Sequence, residues 1–293
     1  MNDSINTFKV AEKGLRVSII TYILISIAKL IIGTIANSSA LTADGLNNFT
    51  DVISSIALLI GIRIARKPAD KNHVYGHLRA ETIATLVASL IMMVLGASVV
   101  FDGGRNVINL EVTSPSILAA FTALGSSFIL YFVYRYNRRI AKQVNSKGLM
   151  ASSKDNLADS MVSLGSAIGI FATRLGFPVF DPIIAILIGL LIVKTGWEIF
   201  RDSIHHLTDG FDPEELDKIN EVIKQIEPVE DVSDIKGRFH GNKIFLEITI
   251  KLNPYLSIDE GHDITEDIES ILKKEFDISY VITHVEPYYD NTI

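Results

Sequence analysis

The stretch TADGLNNFTD, residues 42–51, lies at the start of a long apolar run and carries Asp44, Asn47, Asn48 and Asp51. A helix needs about 20 mostly apolar residues to cross a bilayer. Ionisable groups inside such a helix are costly, so they are kept where they pair, bind or carry something. Read as part of a span, this stretch makes the chain a membrane protein with chemistry built into its interior.

Outward from it, six candidate spans cover residues 17–36, 41–64, 82–102, 116–135, 151–173 and 179–200. The connection 63–79 is basic (Arg63, Arg66, Lys67, Lys71, Arg79), as is 135–147 (Arg135, Arg138, Arg139, Lys142, Lys147). The other connections hold only Arg105, Glu111 and Arg174. By the positive-inside rule the basic loops face the cytoplasm, and an even number of spans then leaves both termini cytoplasmic. The expected location is the plasma membrane, with the lipid bilayer as solvent. The apolar run after Arg16 is too long for a signal-peptide core and is read as a retained first helix.

Bulk composition agrees with two parts in different surroundings. Mean hydropathy is +0.32. Residues 1–206 carry 13 acids and 19 bases, whereas residues 207–293 carry 21 acids and 8 bases. The first part reads as the membrane domain and the second as a soluble domain. So acidic a tail argues against nucleic acid as a partner. No cysteine is present, which excludes disulfides and thiolate metal sites.

In the tail, Asp212 is an expected N-cap followed by Pro213 and early glutamates. DVSDIKGRF and KIFLEITIKL alternate as strands. Ser257 and Glu260 have capping-box spacing at the head of a second helix, and SYVITHVEP reads as a last strand. The order α-β-β-α-β is that of an α+β, ferredoxin-like domain.

Depth brings the polar residues of two spans together. Asp51 lies ten residues past Leu41 and Asp159 ten past Leu149. At 1.5 Å per residue each is ~15 Å into a core ~30 Å thick, approached from opposite sides. Asn47 and Asp51 are four apart, as are Asp155 and Asp159, so each pair shares a helix face. Three carboxylates and an amide crowded in low dielectric repel one another unless a cation or protons neutralise them. That is the physical case for a divalent-cation site. A simpler reading for any one of these acids is a helix cap or a pairing with Lys29, the lone charge of the first span. Asp44 is nearer the outer surface and is a candidate entrance residue or an interface carboxylate. Asn48 stands as an alternative ligand to Asn47.

The chain resembles the cation diffusion facilitator family of metal–proton antiporters. The resemblance covers nearly its whole length and rests on ADGLNNFTD, the loop KPADKNHVYGH, RAE at 79–81, DNLAD in the fifth span and LTDG at 207–210. It implies a tetrahedral transport site at Asn47, Asp51, Asp155 and Asp159. Zinc-selective relatives usually place histidine where this chain has Asp155. Carboxylate and carbonyl oxygen suits harder ions such as manganese, so Mn(II) is the expected cargo, with Zn(II), Fe(II), Co(II) and Cd(II) as alternatives. No cofactor is expected.

The resemblance also implies a loop metal site at Asp70, His73 and His77, and an interdomain charge pair between Arg79 and Asp209. A cytoplasmic metal site is expected from His262, Asp263, His284 and Glu286, and the tail is expected to form a homodimer. His240 reads as a loop residue, and His205 and His206 as interfacial. A metal-dependent membrane enzyme is the rival class, since phospholipid phosphotransferases hold a divalent ion with a D-G start and a D-x-x-x-D pair. Here the DxxxD pair is 111 residues beyond Asp44-Gly45, in another span, and no nucleophile or phosphate loop accompanies it. A membrane-anchored metal sensor is the third reading, and it gives the midplane tetrad no purpose.

Overall fold

The computed structural model describes residues 2–65, 67–108, 115–143, 147–241 and 243–289. Six long helices come first: α1 (Asn2–Ile35), α2 (Ser39–Ala65), α3 (Arg79–Ile108), α4 (Ile117–Gln143), α5 (Lys147–Arg174) and α6 (Phe180–Leu207). The tail follows as α7 (Pro213–Ile223), β1 (Asp231–His240), β2 (Lys243–Leu252), α8 (Ile258–Glu275) and β3 (Tyr280–Pro287). Two compact units result. One joins residues 1–57 with 87–199, and the other joins 58–86 with 200–293.

The first unit is a helix bundle whose interior is built from small residues. Ala36, Ala40, Ala119, Ala120, Ala123 and Ala167 are buried together with Leu41 and Ile170. In lipid there is no hydrophobic drive between helices, so close backbone approach and dispersion hold them. Gly96 illustrates this: a Cβ there would meet Val193 Cγ2 at 2.8 Å and Gly189 O at 2.9 Å, so α3 and α6 touch backbone to backbone. Large apolar side chains such as Leu24, Val94, Phe101 and Phe132 point outward instead. That inversion fits a lipid surround.

Among the described residues, five helices are long and apolar enough to span: α1 from Arg16, α2, α3, α4 and α6. Helix α5, expected as a span over 151–173, is long enough at 28 residues but less apolar. The reason is its inner face. Ser153, Asn156, Asp159, Ser160, Ser163 and Ser166 recur at helical spacing and are all buried. Its polarity therefore points into the bundle.

In the tail, β1 pairs antiparallel with β2, and β2 pairs parallel with β3, in the order β1-β2-β3. The parallel pair requires a crossover, which α8 supplies. Leu246, Ile248, Ile250 and Leu252 alternate along β2 and pack against Ile219 and Ile223 of α7 and Ile264, Ile268 and Leu272 of α8. Asp212 caps α7 by accepting from Glu214 N, and Ser257 with Glu260 forms a full capping box on α8. Hydrogen bonds from the Ser257 backbone and side chain hold the Glu260 carboxyl below its usual range. Ser257→Ala is expected to raise amide exchange in the first turn of α8 about fivefold in the full chain, the effect of losing a cap. Unchanged exchange there would show that the box adds nothing to the helix.

Candidate metal centre

Asn47 and Asp51 sit one turn apart on α2, and Asp155 and Asp159 one turn apart on α5. The two faces meet. Asn47 Nδ2 donates to Asp159 Oδ1 at 2.9 Å, and both residues are buried. Asp51 lies within electrostatic reach of Asp155 and Asp159, and its Oδ2 is buried with no hydrogen-bond partner among the described residues. Asp155, one turn beyond Asp159 towards the start of α5, is exposed. Among the described residues, Asp51, Asp155 and Asp159 do not form a trio with ligand atoms all within 4.8 Å of one another. The donors gather around one place, but without the tight geometry of a closed site. The set offers only oxygen: three carboxylates and the Asn47 carbonyl.

A neighbour missed at the level of sequence is Tyr22. Its hydroxyl donates to Asp159 Oδ2 at 2.5 Å. An aromatic in an apolar span reads as core, so no local signal marks it.

Asp44, expected as an entrance residue or an interface carboxylate, turns inward. It is fully buried and pairs with Lys29 Nζ at 2.8 Å. Lys29 also donates to Asn48 Oδ1 at 2.6 Å and to Ser163 Oγ at 2.7 Å. The carbonyl of Asn48 is thereby engaged by an ammonium, whereas the amide of Asn47 faces Asp159. The Asp44 side chain turns to α1.

In the other unit, the loop trio comes together. Asp70, His73 and His77 place one ligand atom each within 4.8 Å of one another. Asp70 Oδ1 accepts from the backbone N–H groups of Asn72 at 2.9 Å and His73 at 2.8 Å. These bonds hold the Asp70 carboxyl below its usual range, so it stays an anionic acceptor. His77 Nδ1 is buried with no partner among the described residues. The trio can hold a divalent ion through mixed nitrogen and oxygen donors.

Arg79 Nη2 and Asp209 Oδ1 are 2.6 Å apart. Asp209 adopts a left-handed backbone (φ +59), turning the chain out of α6. Arg79 Nε also donates to His240 Nδ1 at 3.3 Å. His240 is thus the last residue of β1 and not a loop residue, and its ring lies 5.4 Å from that of Phe245. Partial burial, followed by the neighbouring Arg79 charge, depresses its pKa.

Among the described residues, no three of the expected tail quartet place ligand atoms within 4.8 Å of one another. His262 Nε2 approaches Glu266 at 3.4 Å, and His284 Nε2 approaches Glu286 at 3.9 Å. The cause is strand alternation. Thr283 pairs with Ile248 and Val285 with Ile250, on the face covered by the helices. His284 pairs with Thr249 and so faces away from α8, which carries His262 and Asp263.

Comparison with known proteins matches both parts. Residues 15–208 match the model for the cation efflux transmembrane domain, and residues 211–288 match the cation efflux protein cytoplasmic domain, ZT_dimer. Manganese efflux system protein MneS of Bacillus subtilis (strain 168) is 46% identical over 279 residues, covering 95% of this chain and 96% of that protein. Uncharacterized transporter YdbO of the same organism is 44% identical over 279 residues, covering 95% and 96%. Manganese efflux system protein MneP, also from that strain, is 29% identical over 291 residues, covering 96% and 98%. This multi-pass membrane chain therefore belongs to the cation diffusion facilitator family of divalent metal cation efflux transporters.

Proposed function

We propose that the chain exports Mn(II) from the cytoplasm across the plasma membrane in exchange for protons, by alternating access through Asn47, Asp51, Asp155 and Asp159. The observation that carries this reading is the oxygen-only donor set, with Asp155 where zinc-selective relatives usually place histidine. Two relatives bearing manganese efflux in their names support the same ion. Inward-facing, the site takes a dehydrated cation. Outward-facing, it releases the cation as the carboxylates gain protons, which then return inward. Protons and metal compete for the same lone pairs, so metal affinity must fall as pH falls. Both termini are cytoplasmic, and the tail joins two copies into a homodimer, as the ZT_dimer match supports. The loop trio Asp70, His73 and His77 serves as a cytoplasmic metal-binding site. No catalytic step is involved.

The test is Mn(II) and Zn(II) flux into proteoliposomes under an imposed pH gradient, for wild type and Asp155→His. Wild type is expected to move Mn(II) in preference to Zn(II). The histidine variant is expected to shift that ratio towards Zn(II) by about tenfold, equivalent to ~1.4 kcal/mol of differential binding. A zinc preference in wild type would overturn the argument from ligand softness and favour Zn(II) as cargo. No flux of either ion would return the enzyme and sensor readings.

A further inference from the structure

Helix α1 contributes no ligand to the transport site, yet its buried face is polar. Ser18, Tyr22, Ser26 and Lys29 follow one another at intervals of three or four, so they share a face. Together they tie α1 to α2, α4 and α5. Ser18 Oγ accepts from Asn137 Nδ2 of α4 at 2.7 Å and from Asn156 Nδ2 of α5 at 3.1 Å. Ser26 Oγ donates to Gly45 O of α2 at 3.1 Å, and Lys29 is held by Asp44, Asn48 and Ser163. Tyr22 alone in this row touches a residue of the proposed transport site.

Its contact is specific. Asp159 Oδ2 accepts from the Tyr22 hydroxyl at 2.5 Å, while Asp159 Oδ1 accepts from Asn47 Nδ2 at 2.9 Å. The carboxylate is held at both oxygens from two different helices, which fixes the orientation of its plane in this arrangement. Each carboxylate oxygen has two lone-pair sites, so each keeps one for a cation. Because Asn47 spends its amide nitrogen on Asp159, its carbonyl oxygen is left as its ligand atom. A phenylalanine in place of Tyr22 would keep the ring packing and lose the grip.

From this we infer that Tyr22 is a positioning residue of the transport site, a fifth member supplied by α1 that orients Asp159 for the divalent cation. The inference rests on the reading of Asp159 as a transport ligand. Partners that orient a metal ligand from outside contribute 10–100-fold to metal affinity in well-studied sites. Tyr22 lies nearly buried at 9% exposure, so water cannot stand in for its hydroxyl without a cavity.

The experiment measures equilibrium Mn(II) binding to the full chain in detergent and Mn(II) flux in proteoliposomes. It compares wild type, Tyr22→Phe, Ser26→Ala and Asp159→Asn. The expected results for Tyr22→Phe are Mn(II) binding weaker by about 10–100-fold, a raised KM with the maximal rate kept, and metal-free melting like wild type. Ser26→Ala perturbs the same helix face without touching Asp159 and is expected to bind Mn(II) normally. Binding lost in Asp159→Asn but intact in Tyr22→Phe removes the role of Tyr22 alone. Binding intact in both removes the site reading, and the inference with it. Equal weakening in Ser26→Ala, or a fall in maximal rate at unchanged KM, assigns the effect to helix packing and also overturns it.

Discussion

Asp51→Asn is expected to abolish Mn(II) flux while the protein still folds, inserts and purifies. The fall in kcat/KM should exceed ~100-fold, or ~2.7 kcal/mol of lost stabilisation, because a direct ligand is worth more than the partners that orient one. Asp51 is singled out within the tetrad by its surroundings. Both oxygens of Asp159 already accept hydrogen bonds from the protein. Asp155 is open to its surroundings. Asp51 Oδ2 is buried and has no hydrogen-bond partner among the described residues. A buried anionic oxygen left without a donor is expensive, and burial of charge is tolerated where a cation or a proton completes it. The amide keeps the shape of the carboxylate but places two N–H donors or a neutral oxygen where the cation would sit. It also removes the repulsion among three acids, so metal-free thermal stability should hold or rise. Stability gained with transport lost is the signature of a residue kept for function. Flux within about threefold of wild type would remove Asp51 from the ion path and transfer the burden to Asp155 and Asp159.

The tail and the six helices were legible because their signals are local. Asp212 before Pro213, and Ser257 three residues before Glu260, mark helix starts that the structure caps as expected. Alternation in KIFLEITIKL marks a strand with one buried face, and β2 has that pattern. The α2 and α5 faces were legible for the same reason, since four-residue spacing says which side chains share a side. What local spacing cannot say is which neighbour a face meets. For Asp44, whether the side chain opens to the outside or turns to α1 depends on packing between helices, and it turns to Lys29. Tyr22 meets a partner 137 positions away, and no property of an aromatic in an apolar run announces that. The tail quartet failed for a reason available in advance. His284 has the opposite parity from Thr283 and Val285, and a period-two count along SYVITHVEP would have turned it away from α8. His240 was missed by one residue, because β1 continues to the glycine that turns the hairpin, Gly241 at φ +64.

Lys29→Met is expected to destabilise the membrane domain by about 3–5 kcal/mol, and a second change, Asp44→Leu, to restore most of that loss. The ammonium of Lys29 has three donors, and all are used: Asp44 at 2.8 Å, Asn48 Oδ1 at 2.6 Å and Ser163 Oγ at 2.7 Å. Both Lys29 and Asp44 are 0% exposed, so neither is screened by water. Removing the lysine leaves a buried carboxylate without its countercharge, and Asp44 Oδ2 already lacks a hydrogen-bond partner among the described residues. Removing both charges trades a desolvated pair for apolar packing, which is often neutral or stabilising. Thermal unfolding in detergent of the two single variants and the double variant gives the coupling directly. Additive losses would mean that the two charges do not depend on one another in the folded state. Non-additive recovery would show that the pair contributes little net stability, so its retention must be explained otherwise. The geometry supplies the explanation: one ammonium ties α1 to α2 and α5, the two helices that carry Asn47, Asp51, Asp155 and Asp159. A stable double variant with impaired Mn(II) flux would then assign the pair to holding those two faces in register. One with normal flux would leave it a packing device alone.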